Sequence, residues 1–225
     1  MPKNRSHVAE HAVGPGGRRG RSASRQRARR MAPELRREQL LACALRVFAR
    51  RGISEGRHAE IAQEAGVAVP TVFVYFPTRE ALVEAVLQEV ARFYIDMTRR
   101  IHAREDLPAD EVLLLHAREF SSSVATHEDY ARVWLDWSTA IREQMWPRYL
   151  DFQRQVVEVI ARTIRRGQKE GTIRTHLDPK FAALFVVSAA HMVAQMQFSH
   201  QPAQVLDRFL RTLVGSITGG MLPSR

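Results

Sequence analysis

The stretch Ile61–Leu82, IAQEAGVAVPTVFVYFPTREAL, predicts two short helices joined by a tight turn and followed by the capped start of a third. Gly66 lies where a helix end needs a residue that tolerates a left-handed backbone. Pro70 fits the first turn of the second helix, and Pro77 ends that helix before Thr78 caps the next. A helix of barely two turns is unstable alone, so its neighbours must hold it while its other face points outward. This arrangement is typical of a helix-turn-helix element that reads a DNA major groove.

Residue spacing predicts which face of the second short helix is buried. Four apolar residues fall at i, i+3, i+4 and i+7 and are expected to face the core: Val69, Val72, Phe73 and Phe76. The opposite, outward face is then expected to carry Pro70, Thr71, Val74 and Tyr75. The preceding segment Pro33–Arg51 has a broad apolar helical stripe and is followed by Gly52. Residues 33–76 are therefore expected to pack as a three-helix unit.

Residues 48–86 resemble the DNA-binding domain of the TetR family of bacterial regulators. The matching positions are Phe48, Gly52, Ile61, Ala62, Ala65, Gly66, Val67, Phe73, Phe76, Arg79 and Leu82. Further segments resemble the LuxR/HapR/SmcR branch, the quorum-sensing master regulators of vibrios: ARRGI, HAEIA, TVFVYFPTRE, HARE, VWLDWS and MWP. The resemblance, which spans roughly Arg30–Gln195, implies a sequence-specific DNA-binding regulator that acts as a homodimer on pseudo-palindromic operators. A global role of the quorum-sensing type is expected, and a local repressor of an efflux or catabolic operon is the alternative.

The outward face and the resemblance together predict the contacts with double-stranded DNA. Thr71 and Val74 are expected to face base edges, while Tyr75 and Arg79 hold phosphates. The vibrio regulators carry Asn at the position of Val74, and Asn can discriminate adenine by about 1–3 kcal/mol. Val can only touch a thymine methyl or fill space, so the operator should differ or depend more on DNA shape. The full set of predicted contacts is Arg27, Arg29, Arg30, His58, Pro70, Thr71, Val74, Tyr75 and Arg79.

Positive charge is concentrated at the N-terminus of the chain. Residues 1–30 hold nine Lys and Arg against one acid, which gives +8 of the total of +10. This segment is poor in apolar residues and is expected to be a disordered basic arm. Either it is a solvated tail, or its last arginines reach phosphates or a narrow minor groove. It lacks the aromatic and Leu face of a membrane-surface helix.

The remainder predicts an all-α protein of about nine helices, with no strand alternation. The expected domains are the arm at 1–30, a helix-turn-helix domain at 31–78 and a helical regulatory and dimerisation domain at 79–220. The later helices are expected at Arg79–Ile101, Ala109–Thr126, Glu128–Met145, Arg148–Gly167, Pro179–Phe198 and Ala203–Ile217. The resemblance implies that Arg148–Gly167 and Pro179–Phe198 form the dimer contact, with Val186 and Ala190 in it. Such a dimer sets two reading helices about one DNA turn apart.

The C-terminal half is also expected to offer a cavity for a small apolar ligand. The resemblance implies lining by Tyr94, Met97, Phe120, Trp134, Gln153, Val157 and Ala189, and the sequence adds Trp137 and Met192 as candidates. A few polar groups in an apolar cavity would orient such a ligand. The alternative is that these aromatic and Met residues are ordinary core.

Enzymatic and membrane functions are disfavoured. The chain has no HExxH and no Gly-rich phosphate loop, so no catalytic residue, cofactor or metal site is expected. The single cysteine, Cys43, lies mid-helix and is expected to be a small core residue. Phe181–Phe198 is interrupted by polar residues and is predicted to be too polar and too short for a membrane span. The N-terminus lacks the apolar run of a signal peptide, so a cytoplasmic protein is expected.

Overall fold

The computed structural model describes residues 32–141 and 144–218, and the all-α prediction is confirmed for them. They form nine helices: α1 (Pro33–Arg51), α2 (His58–Ala65), α3 (Val69–Tyr75), α4 (Arg79–His102), α5 (Ala109–Thr126), α6 (Glu128–Thr139), α7 (Trp146–Glu170), α8 (Pro179–Phe198) and α9 (Ala203–Gly215). The only strand-like pairing among these residues is an isolated bridge between Ile173 and Thr218.

Local capping explains where several helices begin and end. The Thr78 hydroxyl accepts a hydrogen bond of 3.1 Å from the Ala81 N–H at the start of α4. One Asp178 carboxylate oxygen accepts the Lys180 and Phe181 N–H groups, both at 2.9 Å, at the start of α8. Such side-chain acceptors satisfy donors that the first turn of a helix leaves unpaired. The Thr78 cap is predicted by the sequence.

Two helix ends differ from the sequence prediction by three residues or more. Helix α6 ends at Thr139 rather than Met145, because the hydroxyls of Ser138 and Thr139 bond to the preceding carbonyls of Leu135 and Asp136 and compete with the helix. Helix α7 continues past Gly167 to Glu170.

Gly167 is required for close packing and not for the end of a helix. A Cβ atom at this position would lie 2.5 Å from Ile173 Cδ1 and 2.8 Å from Ala109 Cβ. The helix ends instead before Gly171, whose φ of +80° is the left-handed conformation that favours glycine.

The described residues from Pro33 onward form one compact unit. Helices α1 to α3 pack around Leu40, Phe48, Ile61, Val72 and Phe76, all nearly fully buried. Helix α1 also packs on α6, and α4 runs without interruption from the helix-turn-helix to the helices α5 and α7. Cys43 is buried, as predicted. The domain boundary at residue 78 stays a prediction.

Helix α8 has one buried face and one apolar face in solvent. It packs extensively on α7, yet its exposed side carries Phe181, Phe185 and Met192, which are 74%, 52% and 48% exposed. In the described part of the chain, α8 alone is long and apolar enough to cross a membrane by length and composition, with 28% of its most apolar window buried. The prediction that this segment is too polar and too short for that criterion is therefore wrong. Core helices of soluble proteins pass the same criterion.

Candidate nucleic-acid interface and regulatory cavity

Helix α3 is anchored by Val72 and Phe76 and rotated relative to the sequence prediction. Val72 is fully buried and Phe76 is 2% exposed, whereas Val69 and Phe73, both predicted to be buried, are 37% and 46% exposed. Thr71 and Tyr75, predicted to point outward, are half-buried, and Tyr75 packs against the core. One i, i+4 pair is enough to anchor a helix of seven residues, so its remaining apolar residues are free to face solvent.

His58 lies beneath α3 and supports it. Its ring stacks on Phe73 with centroids 4.3 Å apart and planes 3° apart, and its Nε2 lies 3.0 Å from the Phe76 carbonyl oxygen. The residue is 8% exposed. This placement corrects the prediction that His58 contacts DNA, because the ring is enclosed by the helix that it supports.

The turn between α1 and α2 is held from two sides. The Asp136 carboxylate of α6 accepts the Ile53 N–H at 2.6 Å. The Arg79 guanidinium, at the start of α4, donates to the carbonyls of Ile53 and Ser54, the second at 2.7 Å. We call this set of contacts the turn clamp. Gly52 precedes it with φ +90°, a conformation that strains other residues.

The turn clamp changes the interpretation of Arg79. Its side chain is half-buried and two of its hydrogen bonds go to backbone carbonyls, so it positions the helix-turn-helix whatever else it touches. Pro70 and Val74 lie on the exposed surface of α3, as predicted. The predicted arm contacts Arg27, Arg29 and Arg30 lie outside the described residues.

Glu64 fixes α2 to α1 through two arginines. It pairs with Arg46 at 2.5 Å and with Arg50. Burial alone would raise the pKa of the Glu64 carboxyl, but the two guanidinium groups outweigh it and lower that pKa. A second pair joins Arg51 to Glu60 at 3.0 Å. These three arginines are thus partly neutralised within the protein.

A small apolar cavity lies among α4, α5, α6, α7, α8 and α9. Four of the predicted ligand residues line it: Tyr94, Met97, Phe120 and Trp134. Val186 and Ala190 also line it, and Val186 is 6% exposed, which corrects the expectation that it lies in a dimer contact. The cavity has a volume of about 50 Å³, which is room for only a few waters. A drug-sized ligand would have to widen it.

The other five predicted ligand residues lie outside this lining. Trp137 is buried, and its indole N–H donates to the Met145 carbonyl at 3.1 Å. Val157 is buried, Gln153 and Ala189 are half-buried, and Met192 is 48% exposed on α8. Their helical spacing alone does not distinguish the side of a helix that meets a cavity from the side that meets another helix.

The cavity contains polar groups that sequence spacing did not reveal. In the part of the chain that the structure describes, the buried Tyr94 hydroxyl has no hydrogen-bond partner, and the nearby Ser123 hydroxyl donates to the Phe120 carbonyl at 2.7 Å. Burial raises the pKa of Tyr94, and the proximity of the Ser123 hydroxyl opposes that shift. His116 also lines the cavity, and its Nδ1 lies 2.7 Å from Nε2 of His102. His102 Nδ1 in turn lies 2.7 Å from the Thr163 hydroxyl. Burial lowers the pKa of both histidines, so both are neutral at pH 7.

Comparison with known proteins agrees with this architecture. Residues 40–86 match the bacterial regulatory proteins of the tetR family, and residues 106–195 match the tetracyclin repressor-like C-terminal domain. The chain is 38% identical over 150 residues to the HTH-type transcriptional regulator LuxR of Vibrio harveyi, which covers 62% of this chain and 69% of that protein.

Solved structures share the fold at lower identity. FadR from Bacillus subtilis in complex with stearoyl-CoA is 20% identical with a TM-score of 0.67, covering 82% of this chain and 99% of that one. A putative regulator from Saccharomonospora viridis in complex with choline is 22% identical with a TM-score of 0.73, covering 83% and 100%. The helix-turn-helix, the helical C-terminal half and the LuxR similarity lead to one conclusion: the chain belongs to the TetR family of bacterial transcriptional regulators.

Proposed function

We propose that this regulator works in the cytoplasm as a homodimer that binds pseudo-palindromic operators and controls many genes, in the manner of the quorum-sensing type. The DNA-binding part of this proposal rests on the outward face of α3, which is open to solvent, while Val72 and Phe76 anchor the opposite side of the helix in the core. A single short reading helix contacts too few base pairs for genomic specificity. Two copies related by a two-fold axis supply the missing contacts.

The exposed apolar face of α8 supports the dimer. Phe181 and Phe185 are one helical turn apart and mostly in solvent, and Met192 continues the same side of the helix. A contiguous apolar surface of this kind favours a protein interface. A second copy of the chain fits it, because one α8 face can pack against its own image in a two-fold contact.

Phe185→Glu tests the dimer. The variant should sediment as a monomer at micromolar concentration and lose most operator affinity, because two charges would be buried near the two-fold axis. Val205→Glu on α9 is the matched control, since Val205 is also exposed, at 44%. It should remain dimeric. A wild-type protein that sediments as a monomer at micromolar concentration would contradict the proposal.

Genome-wide mapping of bound sites tests the global role. A regulator of the quorum-sensing type should occupy dozens of sites, and the 38% identity to LuxR of Vibrio harveyi favours this outcome. One or two sites beside the regulator's own gene would instead identify a local repressor.

The local repressor is the second candidate, and the cavity favours it. The unpaired Tyr94 hydroxyl within apolar walls is suited to a small, mostly apolar ligand that carries one hydrogen-bonding group. Trp134 lines the cavity on α6, two residues before Asp136 of the turn clamp. A ligand that displaces α6 would therefore act on the helix-turn-helix through this contact. A thermal-shift screen that finds stabilising ligands which also lower operator affinity would support this candidate.

A further inference from the structure

The outward face of α3 has no hydrogen-bonding side chain. Its four exposed residues carry only carbon and hydrogen in their side chains: Val69, Pro70, Phe73 and Val74. Val74 is the most open, at 76% exposed. Thr71 and Tyr75, which carry the hydroxyl groups of α3, are half-buried at its flanks. This face cannot form the bidentate hydrogen bonds by which side chains distinguish guanine and adenine.

Phe73 is fixed in its exposed position. The buried His58 ring stacks parallel to it at 4.3 Å and is itself held next to the Phe76 carbonyl, 3.0 Å away. The Phe73 side chain therefore loses little further conformational entropy when it contacts a partner, which favours binding. Val74 is β-branched and equally restricted at χ1. The exposed surface of α3 is thus apolar and stiff.

An apolar side chain gains free energy in the major groove only against an apolar group. The groove offers one such group on the natural bases, the C5 methyl of thymine. We propose that Val74 and Phe73 read the operator by contacting thymine methyls, so that each half-site carries A·T pairs whose thymines face α3. This inference rests on the proposed function, because it requires α3 to enter the major groove.

Uracil substitution is the direct test, because uracil lacks the methyl of thymine and keeps its hydrogen-bonding groups. The operator is first selected from random duplex DNA with the full-length protein. Each thymine is then replaced singly by uracil. Loss of one buried methyl should weaken binding about fourfold, at two positions in each half-site. Where cytosine replaces a sensitive thymine, 5-methylcytosine should recover part of the affinity.

A double-mutant cycle assigns each methyl to its side chain. Val74→Ala should remove the uracil penalty at one position of each half-site and leave it unchanged at the other. Phe73→Leu, which keeps an apolar side chain above His58, should reduce the penalty at the second position. Val205→Ala on α9 is the control for removal of exposed apolar surface, and it should retain the full penalty at both positions.

Two results would overturn the inference in distinguishable ways. An operator that binds within twofold after every thymine is replaced by uracil would show that methyl groups are not read, although DNA binding itself stands. A selection that enriches no sequence at all would remove the proposed function and the inference together.

Discussion

Asp136→Ala should destabilise the protein, because it removes the α6 side of the turn clamp. The carboxylate accepts the Ile53 N–H at 2.6 Å, and Ile53 is 2% exposed. The substitution leaves a buried donor without its partner, which costs about 1–3 kcal/mol. Asp136 itself is exposed, so water replaces part of the interaction and the lower half of that range, about 1–2 kcal/mol, is expected. For a chain of this length this corresponds to a decrease in Tm of roughly 2–8 °C.

Thermal unfolding followed by circular dichroism measures this change, and fluorescence anisotropy with labelled operator measures its effect on DNA binding. The turn clamp joins the helix-turn-helix to α6, so operator affinity should fall together with stability. Asp136→Asn keeps an acceptor oxygen and should be less destabilising. Asp151→Ala is the control, since Asp151 pairs with Arg154 at the surface, and such pairs contribute about 0–1 kcal/mol. If Asp136→Ala melts at the wild-type temperature and binds operator equally well, the turn clamp has no mechanical role.

Charge and burial lead to three further predictions. Below pH 6.5 a histidine in the unfolded chain binds a proton, whereas buried His116 stays neutral, so the free energy of unfolding should fall by up to about 1.4 kcal/mol per pH unit for this group. Urea unfolding at pH 7, 6 and 5 should show a shallower decrease for His116→Asn than for the wild type, and equal slopes for the two proteins would contradict the assignment. Deleting residues 1–30 removes a charge of +8 and should reduce the slope of log operator affinity against log salt concentration by about 0.9 for each phosphate that the arm neutralises. Deleting residues 1–24 should change this slope little, and an unchanged slope for the 1–30 deletion would show that the arm is a solvated tail. Trp134→Ala should abolish the effect of any cavity ligand on operator affinity while unliganded binding persists, and a retained response would place the ligand elsewhere.

Local sequence determined the helices and their caps. Thr78 and Asp178 begin α4 and α8 because a side-chain oxygen satisfies the first free N–H groups of a helix, a requirement met within three residues. The helix-turn-helix follows from the same local rules together with the position of Gly66, whose φ of +65° ends α2. The fold class and the exposed position of Val74 could be predicted for this reason, and the family could be predicted because residues 48–86 resemble the DNA-binding domain of TetR regulators.

Only the tertiary structure decided which way α3 faces and which residues meet across the chain. Periodicity fixes the relative angles of residues on a helix, but in seven residues two faces are similarly apolar, and the choice of Val72 and Phe76 as the anchor depends on the packing of α1 and α2. The Ile53–Asp136 bond joins residues 83 positions apart, and the His102–His116 pair forms where α4 meets α5. Such contacts leave no periodic trace in the sequence, because they depend on how whole helices pack and not on the preferences of neighbouring residues.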